Sequence, residues 1–144
     1  MHIKEKHLQL LPTLQNALLA VAVFCYWMWI APHLLFFRES MQLFLWTEDY
    51  LSERLAVPGG FAQYLGECIV QLFLNPAIGA GCYALMAVMT KIISARLLSS
   101  VITDKVRWSW LTLLPPLVLW YITTVPTIPM TVPVALLLTI TLMA

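Results

Sequence analysis

Three acidic side chains follow the first long apolar run of this chain, and they are of the type that could do chemistry: Glu39, Glu48 and Asp49. A carboxylate there could act as a general base or hold a metal at a diphosphate, as an enzyme using a lipid-linked sugar requires. Asp49 is the first catalytic candidate, Glu48 the second and Glu39 the third. The structural interpretation is stronger, because Thr47 followed by two acids is typical of a helix start.

A second polar group recurs at every fourth position of an apolar stretch, at Gln63, Glu67, Gln71 and Asn75. On a helix these residues form one stripe, which should not face lipid. Two interpretations remain open. The stripe faces water from an interfacial helix, or it borders a substrate or ion pathway, as in transporters whose helices are broken near the site.

The remaining reactive side chains do not form a recognisable site. Cys25, Cys68 and Cys82 lie in apolar runs with no CxxC and no histidine at ligand spacing, so we interpret them as small apolar side chains. The Pro58-Gly59-Gly60 sequence lacks the spacing and the lysine of a phosphate loop and predicts a turn. We expect no metal and no cofactor.

The composition indicates where such residues must be positioned. Of 144 residues, 61% are hydrophobic and 10% charged, whereas soluble domains are about 45–50% apolar and about 25% charged. The mean hydropathy is +0.85. A net charge of +1 gives no indication of a nucleic-acid partner. The lipid bilayer is the partner that this composition predicts.

The apolar runs predict an all-α, multi-pass transmembrane protein, since about 20 apolar residues cross a bilayer. We place the spans at about 13–33, 76–96 and 108–124, with a partial one at 130–144. Pro12 suits a first-turn position, and Pro115-Pro116 predict a kink in the third span. Three Thr-x-Pro repeats within 124–133 predict an extended, turning chain.

Between the first two spans, region 38–74 mixes charged, aromatic and aliphatic residues. Its first part, 38–60, predicts an amphipathic stretch on the membrane surface, and 61–74 predicts a short helix that is either re-entrant or interfacial. In the second span, Ala77 with Gly81 and Ala80 with Ala84 form small-xxx-small pairs. Such pairs let further helices of the same or another chain approach closely.

The charge distribution predicts the orientation. Lys4 and Lys6 share a side with a basic connection over 91–107, and the acidic 38–60 loop lies opposite. By the positive-inside rule, the N-terminus is cytoplasmic. The 38–60 loop and the Thr-x-Pro turn are then expected together on the outer side.

Three sequence segments carry a family resemblance: Q-L-F-L-W-T-E-D-Y-L (42–51), P-G-G-F-A-Q-Y-L-G-E (58–67) and N-P-A-I-G-A (75–80). They resemble the N-terminal part of an uncharacterised family of multi-pass membrane proteins of Bacteroides-type bacteria, a domain of unknown function. The resemblance implies a longer protein of which this chain is the N-terminal membrane portion. The short last apolar run, about 11 residues against the roughly 20 of a span, indicates the same. No activity is implied, and we do not expect this chain alone to be an enzyme.

Overall fold

The computed structural model describes three stretches of the chain, 2–42, 44–101 and 109–144, with the side chains of 12–42, 44–100 and 110–144. These stretches contain no strand and form seven α-helices, which confirms the all-α prediction. The helices are α1 (His2–Cys25), α2 (Pro32–Met41), α3 (Glu48–Leu55), α4 (Gly60–Gln71), α5 (Pro76–Val101), α6 (Leu114–Thr124) and α7 (Thr131–Met143).

The first apolar run is longer and less regular than the single helix predicted for 13–33. It starts at His2, so Pro12 lies inside α1 instead of in its first turn. A π-helical stretch, Tyr26–Ile30, follows α1, and the run breaks at Ala31, where φ is −126° and ψ is 37°. Pro32 then begins α2, because proline lacks an amide and disfavours α geometry in the residue before it. Residues 38–41 consequently belong to α2.

Helices α3 and α4 meet at the predicted turn. The side chain of Thr47 accepts a hydrogen bond from the amide of Tyr50 at 3.3 Å, which confirms the predicted helix start. Gly59 has a φ of 79°, in the left-handed region. A Cβ on Gly60 would lie 1.6 Å from the carbonyl oxygen of Arg54. The turn therefore requires glycine at both positions.

Helix α5 is 26 residues long and starts at Pro76. At this start, the side-chain oxygen of Asn75 accepts a hydrogen bond from the amide of Ala77 at 3.0 Å. It includes Lys91, which the sequence pattern had placed in a connection between helices. The predicted start of the third span at 108 lies outside the described residues, as do the side chains of the N-terminal lysines. Of the two small-residue pairs, Ala80 and Ala84 are buried, whereas nothing lies within 4 Å of the Cβ position of Gly81.

Three prolines of the last third, Pro115, Pro116 and Pro133, lie in first helical turns. A 3-10 turn, Ser109–Leu113, leads into α6 at Pro115-Pro116, and the predicted kink there stays a prediction. Val125 is extended, but α7 starts at Thr131, so the third Thr-x-Pro repeat is helical. Proline is well tolerated in a first helical turn, because its missing amide would have no intrahelical partner there.

The buried core centres on Trp27 of the π-helical stretch. Its ring is fully buried and stacks on that of Tyr83 in α5, with centroids 4.3 Å apart. Phe73, just after α4, packs on the other side of this pair, 5.1 Å from Tyr83. Aromatic contacts thus join the first helical run, the end of α4 and α5.

Two helical stretches are long and apolar enough to cross a membrane, Pro12–Ile30 and Pro76–Ser100, each with a mean hydropathy of 1.5. Only 17% of the first stretch is buried inside the protein, against 56% of the second. Two further apolar helices, Trp110–Thr124 and Thr131–Met143, are shorter. The first stretch therefore leaves most of its apolar surface uncovered by the rest of the described chain.

Candidate functional site

The three catalytic candidates lie on the outside of the structure. Glu48 and Asp49 are exposed in the first turn of α3, and Glu39 is half-buried near the end of α2. Among the described residues, no three His, Cys, Asp or Glu side chains gather into a group that could hold a metal ion. The catalytic role of these acids stays a prediction.

The polar stripe of α4 builds a cluster around Glu67, which is 7% exposed. Its carboxylate accepts hydrogen bonds from the hydroxyl of Tyr50 at 2.5 Å and from Nε2 of Gln63 at 3.0 Å. Nη2 of Arg54 lies 3.2 Å from the same carboxylate and donates to the Tyr50 hydroxyl at 2.9 Å. We call these four residues, Tyr50, Arg54, Gln63 and Glu67, the Glu67 cluster.

The charges of the Glu67 cluster support one another. Burial raises the pKa of Tyr50, and the hydrogen bond to Glu67 raises it further, so the phenol stays neutral and keeps donating. The hydrogen bond to Tyr50 is the main cause that raises the pKa of Arg54, whose guanidinium also lies 4.8 Å from the Tyr50 ring centroid. The cluster is an ion pair bridged by a phenol, and it holds α3 against α4.

The rest of the stripe has other partners. Nε2 of Gln71 donates to the carbonyl of Gln42 at 3.2 Å. Asn75 is exposed and caps the start of α5. Gln63, Glu67 and Gln71 are therefore directed at the chain's own 42–54 segment, an arrangement that neither sequence interpretation included, because the folding of that segment over α4 is a tertiary contact.

A second buried charge, Arg38 of α2, holds the loop between α6 and α7. Arg38 is 4% exposed and donates to three backbone carbonyls: Thr123 at 2.9 Å, Val125 at 2.8 Å and Ile128 at 2.8 Å. A helix end leaves carbonyls without partners and carries a partial negative charge, so a cation is stabilised there. These contacts place the start of the 38–60 region beside the Thr-x-Pro turn, as expected.

A third buried charge, Lys91, joins α5 to α1. It is 3% exposed, and its Nζ lies 2.7 Å from Oδ1 of Asn16 and 3.4 Å from the carbonyl oxygen of Pro12. Hydrogen bonding to neutral acceptors satisfies the ammonium in place of water. The polar contacts of Arg38 and Lys91 thus lie near opposite ends of the first helical run.

Sequence reasoning missed the roles of Arg38 and Lys91, although each carries a visible signal. Arg38 is the only lysine or arginine between Lys6 and Arg54, and Lys91 is the only charged residue between Glu67 and Arg96. An isolated charge in an apolar run indicates a buried partner, because such a charge is costly when it is unpaired.

Over the described residues, the fold and these contacts define a helical chain with two helices long enough to cross a membrane and with three buried charged side chains, Arg38, Glu67 and Lys91. The chain belongs to the Family of unknown function (DUF6057), which it matches over residues 6–144. This match confirms the expected membership in an uncharacterised family. The comparison with curated proteins found no match, and neither did the comparison with solved structures.

Proposed function

We propose that this chain is a multi-pass domain of the bacterial cytoplasmic membrane whose function is structural. In this proposal α1 and α5 cross the bilayer, α6 and α7 are shorter embedded helices, and the domain forms the membrane portion of a larger polytopic protein. The observation that carries the proposal is an unusual distribution of polarity: large apolar side chains are exposed along the long helices, while three charged side chains, Arg38, Glu67 and Lys91, are buried.

The apolar exposure supports lipid contact. In α1 and the stretch after it, five large apolar side chains are more than half exposed: Leu14, Leu18, Val21, Trp29 and Ile30. Leaving such area in water costs about 25 cal/mol per Å², and soluble monomers rarely keep large contiguous apolar patches. A hydrocarbon environment removes that cost.

The buried charges support the same environment. Arg38, Glu67 and Lys91 are each less than a tenth exposed, and each has polar partners within the chain. In a bilayer, ionisable side chains are tolerated where they face the bundle interior and are paired there. A water-soluble protein has no reason to turn charges inward and leucines outward.

Two kinds of apolar helix do not cross a membrane in the mature protein: a removable leader and the core helix of a soluble protein. Both fit the Pro12–Ile30 stretch less well than an integral span does. A removable leader would make few contacts with the rest of the fold. Here Asn16 of α1 accepts a hydrogen bond from Lys91, and Trp27, just beyond the end of α1, stacks on Tyr83. A core helix would be mostly buried, yet 17% of the Pro12–Ile30 stretch is buried. Both observations favour an integral span.

The contacts also support the proposed topology. Lys91, late in α5, meets Pro12 at the start of the first stretch, and Trp27 near the end of that stretch stacks on Tyr83, early in α5, so α1 runs opposite to α5. With the N-terminus in the cytoplasm, α3, α4 and the α6–α7 loop lie on the outer side. The open face of α5 at Gly81 leaves room for a further helix of the same or another chain.

Fractionation and reporter fusions test this proposal. We expect the full chain to stay with membranes through a urea wash and to float with them on a density gradient. Alkaline phosphatase fused after Val57 should be active and after Ser100 inactive, because the enzyme works only outside the cytoplasm. Release of the chain by urea would overturn membrane insertion, and the reverse fusion pattern would overturn the orientation alone.

A further inference from the structure

We propose that α4 lies within the hydrocarbon of the leaflet that holds the start of α5, with one apolar stripe of α4 against acyl chains. The stripe consists of Phe61, Leu65, Cys68 and Leu72. This inference rests on the proposed membrane insertion and assigns lipid chains to the exposed part of this stripe.

The first argument is the division of α4 into three faces, since successive residues turn by about 100°. Ala62, Gly66 and Val70 face the core and are buried. Gln63 and Glu67 lie on a second face, where the 42–54 segment covers them. The apolar stripe forms the third face, about 150° from the polar one. Phe61 is 53% and Leu72 45% exposed, and the other two members are half-buried.

The second argument is that this pattern is the reverse of a surface helix. A helix lying on a membrane turns its polar side to water and its apolar side inward. Here the polar side of α4 is covered by α3, and α3 presents its own polar residues outward. Those residues, Glu48, Asp49, Ser52 and Glu53, are all exposed. Helix α3 thus separates the polar face of α4 from water, and the uncovered face of α4 is apolar.

The third argument is depth. A Cβ on Gly66, midway along α4, would lie 3.0 Å from the backbone nitrogen of Thr131 and 3.1 Å from the carbonyl carbon of Met130. The Tyr83 hydroxyl in turn lies 3.7 Å from the sulfur of Met130. Tyr83 follows Pro76 by seven residues, which is about 10 Å along α5. The middle of α4 therefore packs on the start of α7, at a contact that the side chain of Tyr83 reaches from within the proposed span.

Continuity of the apolar surface identifies acyl chains as the occupant. The stripe ends at Leu72, and the chain continues through exposed Leu74 to exposed Ile78 at the start of α5. Exposed apolar side chains thus follow one another along the chain from the end of α4 to the start of a helix proposed to span the bilayer. A lipid face shared by both helices needs no partner protein to cover it.

The native Cys68 gives a direct test. A nitroxide label is attached to Cys68 in the Cys25→Ala/Cys82→Ala protein, reconstituted in phospholipid bilayers. Its collision rates with oxygen, which concentrates in hydrocarbon, and with a water-soluble nickel chelate are then measured. Reference labels at Leu18→Cys and Asp49→Cys, each in a background lacking the three native cysteines, report the lipid and water limits. Leu72→Cys provides a second stripe position.

We expect both stripe labels to match Leu18→Cys, with oxygen collisions several-fold more frequent relative to nickel than at Asp49→Cys. Stripe labels that match Asp49→Cys, with Leu18→Cys still in lipid, would overturn the position of α4 alone. Stripe labels shielded from both reagents would also overturn it, since protein would then cover the stripe. A water-accessible Leu18→Cys would overturn membrane insertion itself.

Discussion

Arg38 on α2 donates a hydrogen bond to the carbonyl oxygen of Thr123 at the end of α6, 85 residues further along the chain and 2.9 Å away. The same guanidinium binds the carbonyls of Val125 and Ile128. One side chain therefore binds carbonyls at the end of α6 and in the loop that leads to α7, and so fixes the path of the chain between the two helices. Arg38 links the first helical run to the last two helices, so its removal should disturb both.

Replacing Arg38 by methionine should leave three carbonyls without their donor. We expect a loss of about 1–3 kcal/mol in the free energy of unfolding, the usual result when a buried polar group loses its partner. Arg38→Lys should recover part of this loss, because an ammonium keeps the charge but not the planar fork. Tryptophan fluorescence during thermal unfolding in detergent or bilayer discs measures the change.

Arg96→Met is the matched control, since Arg96 is exposed on α5 and should change the unfolding free energy by less than about 0.5 kcal/mol. Equal effects of Arg38→Met and Arg96→Met would contradict the role given to Arg38.

The Glu67 cluster should show coupling between α3 and α4. Glu67→Leu and Arg54→Met each leave a charged partner behind, whereas the double variant removes both charges. We expect the double variant to be more stable than the sum of the single losses predicts, by about 0.5–3 kcal/mol. Limited proteolysis of the 42–60 segment provides a second readout, because this segment should open in the single variants.

Glu53→Gln, on the exposed side of α3, is the control. Additive losses would show that the ion pair does not hold the two helices together.

The contact between Lys91 and Asn16 gives a related prediction for α1 and α5. Asn16→Leu leaves the Lys91 ammonium without its closest acceptor and should destabilise the protein by about 1–3 kcal/mol. The double variant Lys91→Met/Asn16→Leu should recover most of that loss, because replacing both partners by apolar groups is nearly neutral or stabilising. Thermal unfolding of the three proteins measures this. A double variant less stable than Asn16→Leu alone would show that the charge itself stabilises the helix pair.

Tyr50 should make the stability of the α3–α4 pair dependent on alkaline pH. Burial and the hydrogen bond to Glu67 raise its pKa above the ordinary value of 10.0. The folded state therefore prefers the protonated phenol, and this contribution is complete below pH 10 and lost as the pH rises through the folded-state pKa. The stability advantage over Tyr50→Phe should be larger at about pH 8 than at about pH 11. An advantage that does not change between these conditions would contradict the arrangement of the cluster.

The sequence predicts local features of this fold well. The start of α3 at Thr47 and the turn at Pro58-Gly59-Gly60 depend on capping and on backbone freedom, which neighbouring residues determine. The end of the predicted short helix at 74 and the start of the predicted span at 76 follow from the missing amide of Pro76 in the same way. All three are present in the structure.

Tertiary partners could not be predicted in this way. From the sequence, Arg38 is interpreted as one charge of a polar loop. Its acceptors are three carbonyls near the end of α6, and only the structure shows them. Lys91 reads as part of a basic connection because the sequence does not give the end of α5. The direction of the α4 stripe depends on α3 folding over it. Each depends on a contact between segments far apart in sequence, which periodicity does not encode.

The central claim, that apolar residues exposed on the long helices face lipid, predicts the reverse of what holds for a soluble protein. Leu18 of α1 and Leu85 of α5 are 62% and 63% exposed. In a protein surrounded by water, aspartate at such an exposed position should increase the folding stability or leave it unchanged. In a bilayer it costs about 2.5–3.5 kcal/mol near the centre of a span.

The measurement is therefore the membrane-inserted, folded fraction of Leu18→Asp and Leu85→Asp, with Ser52→Asp on the exposed side of α3 as control. We expect both leucine variants to lose insertion and thermal stability, while the Ser52 variant behaves like the unmodified chain. Leucine variants that fold as well as the unmodified chain and stay soluble in buffer without detergent would contradict the account.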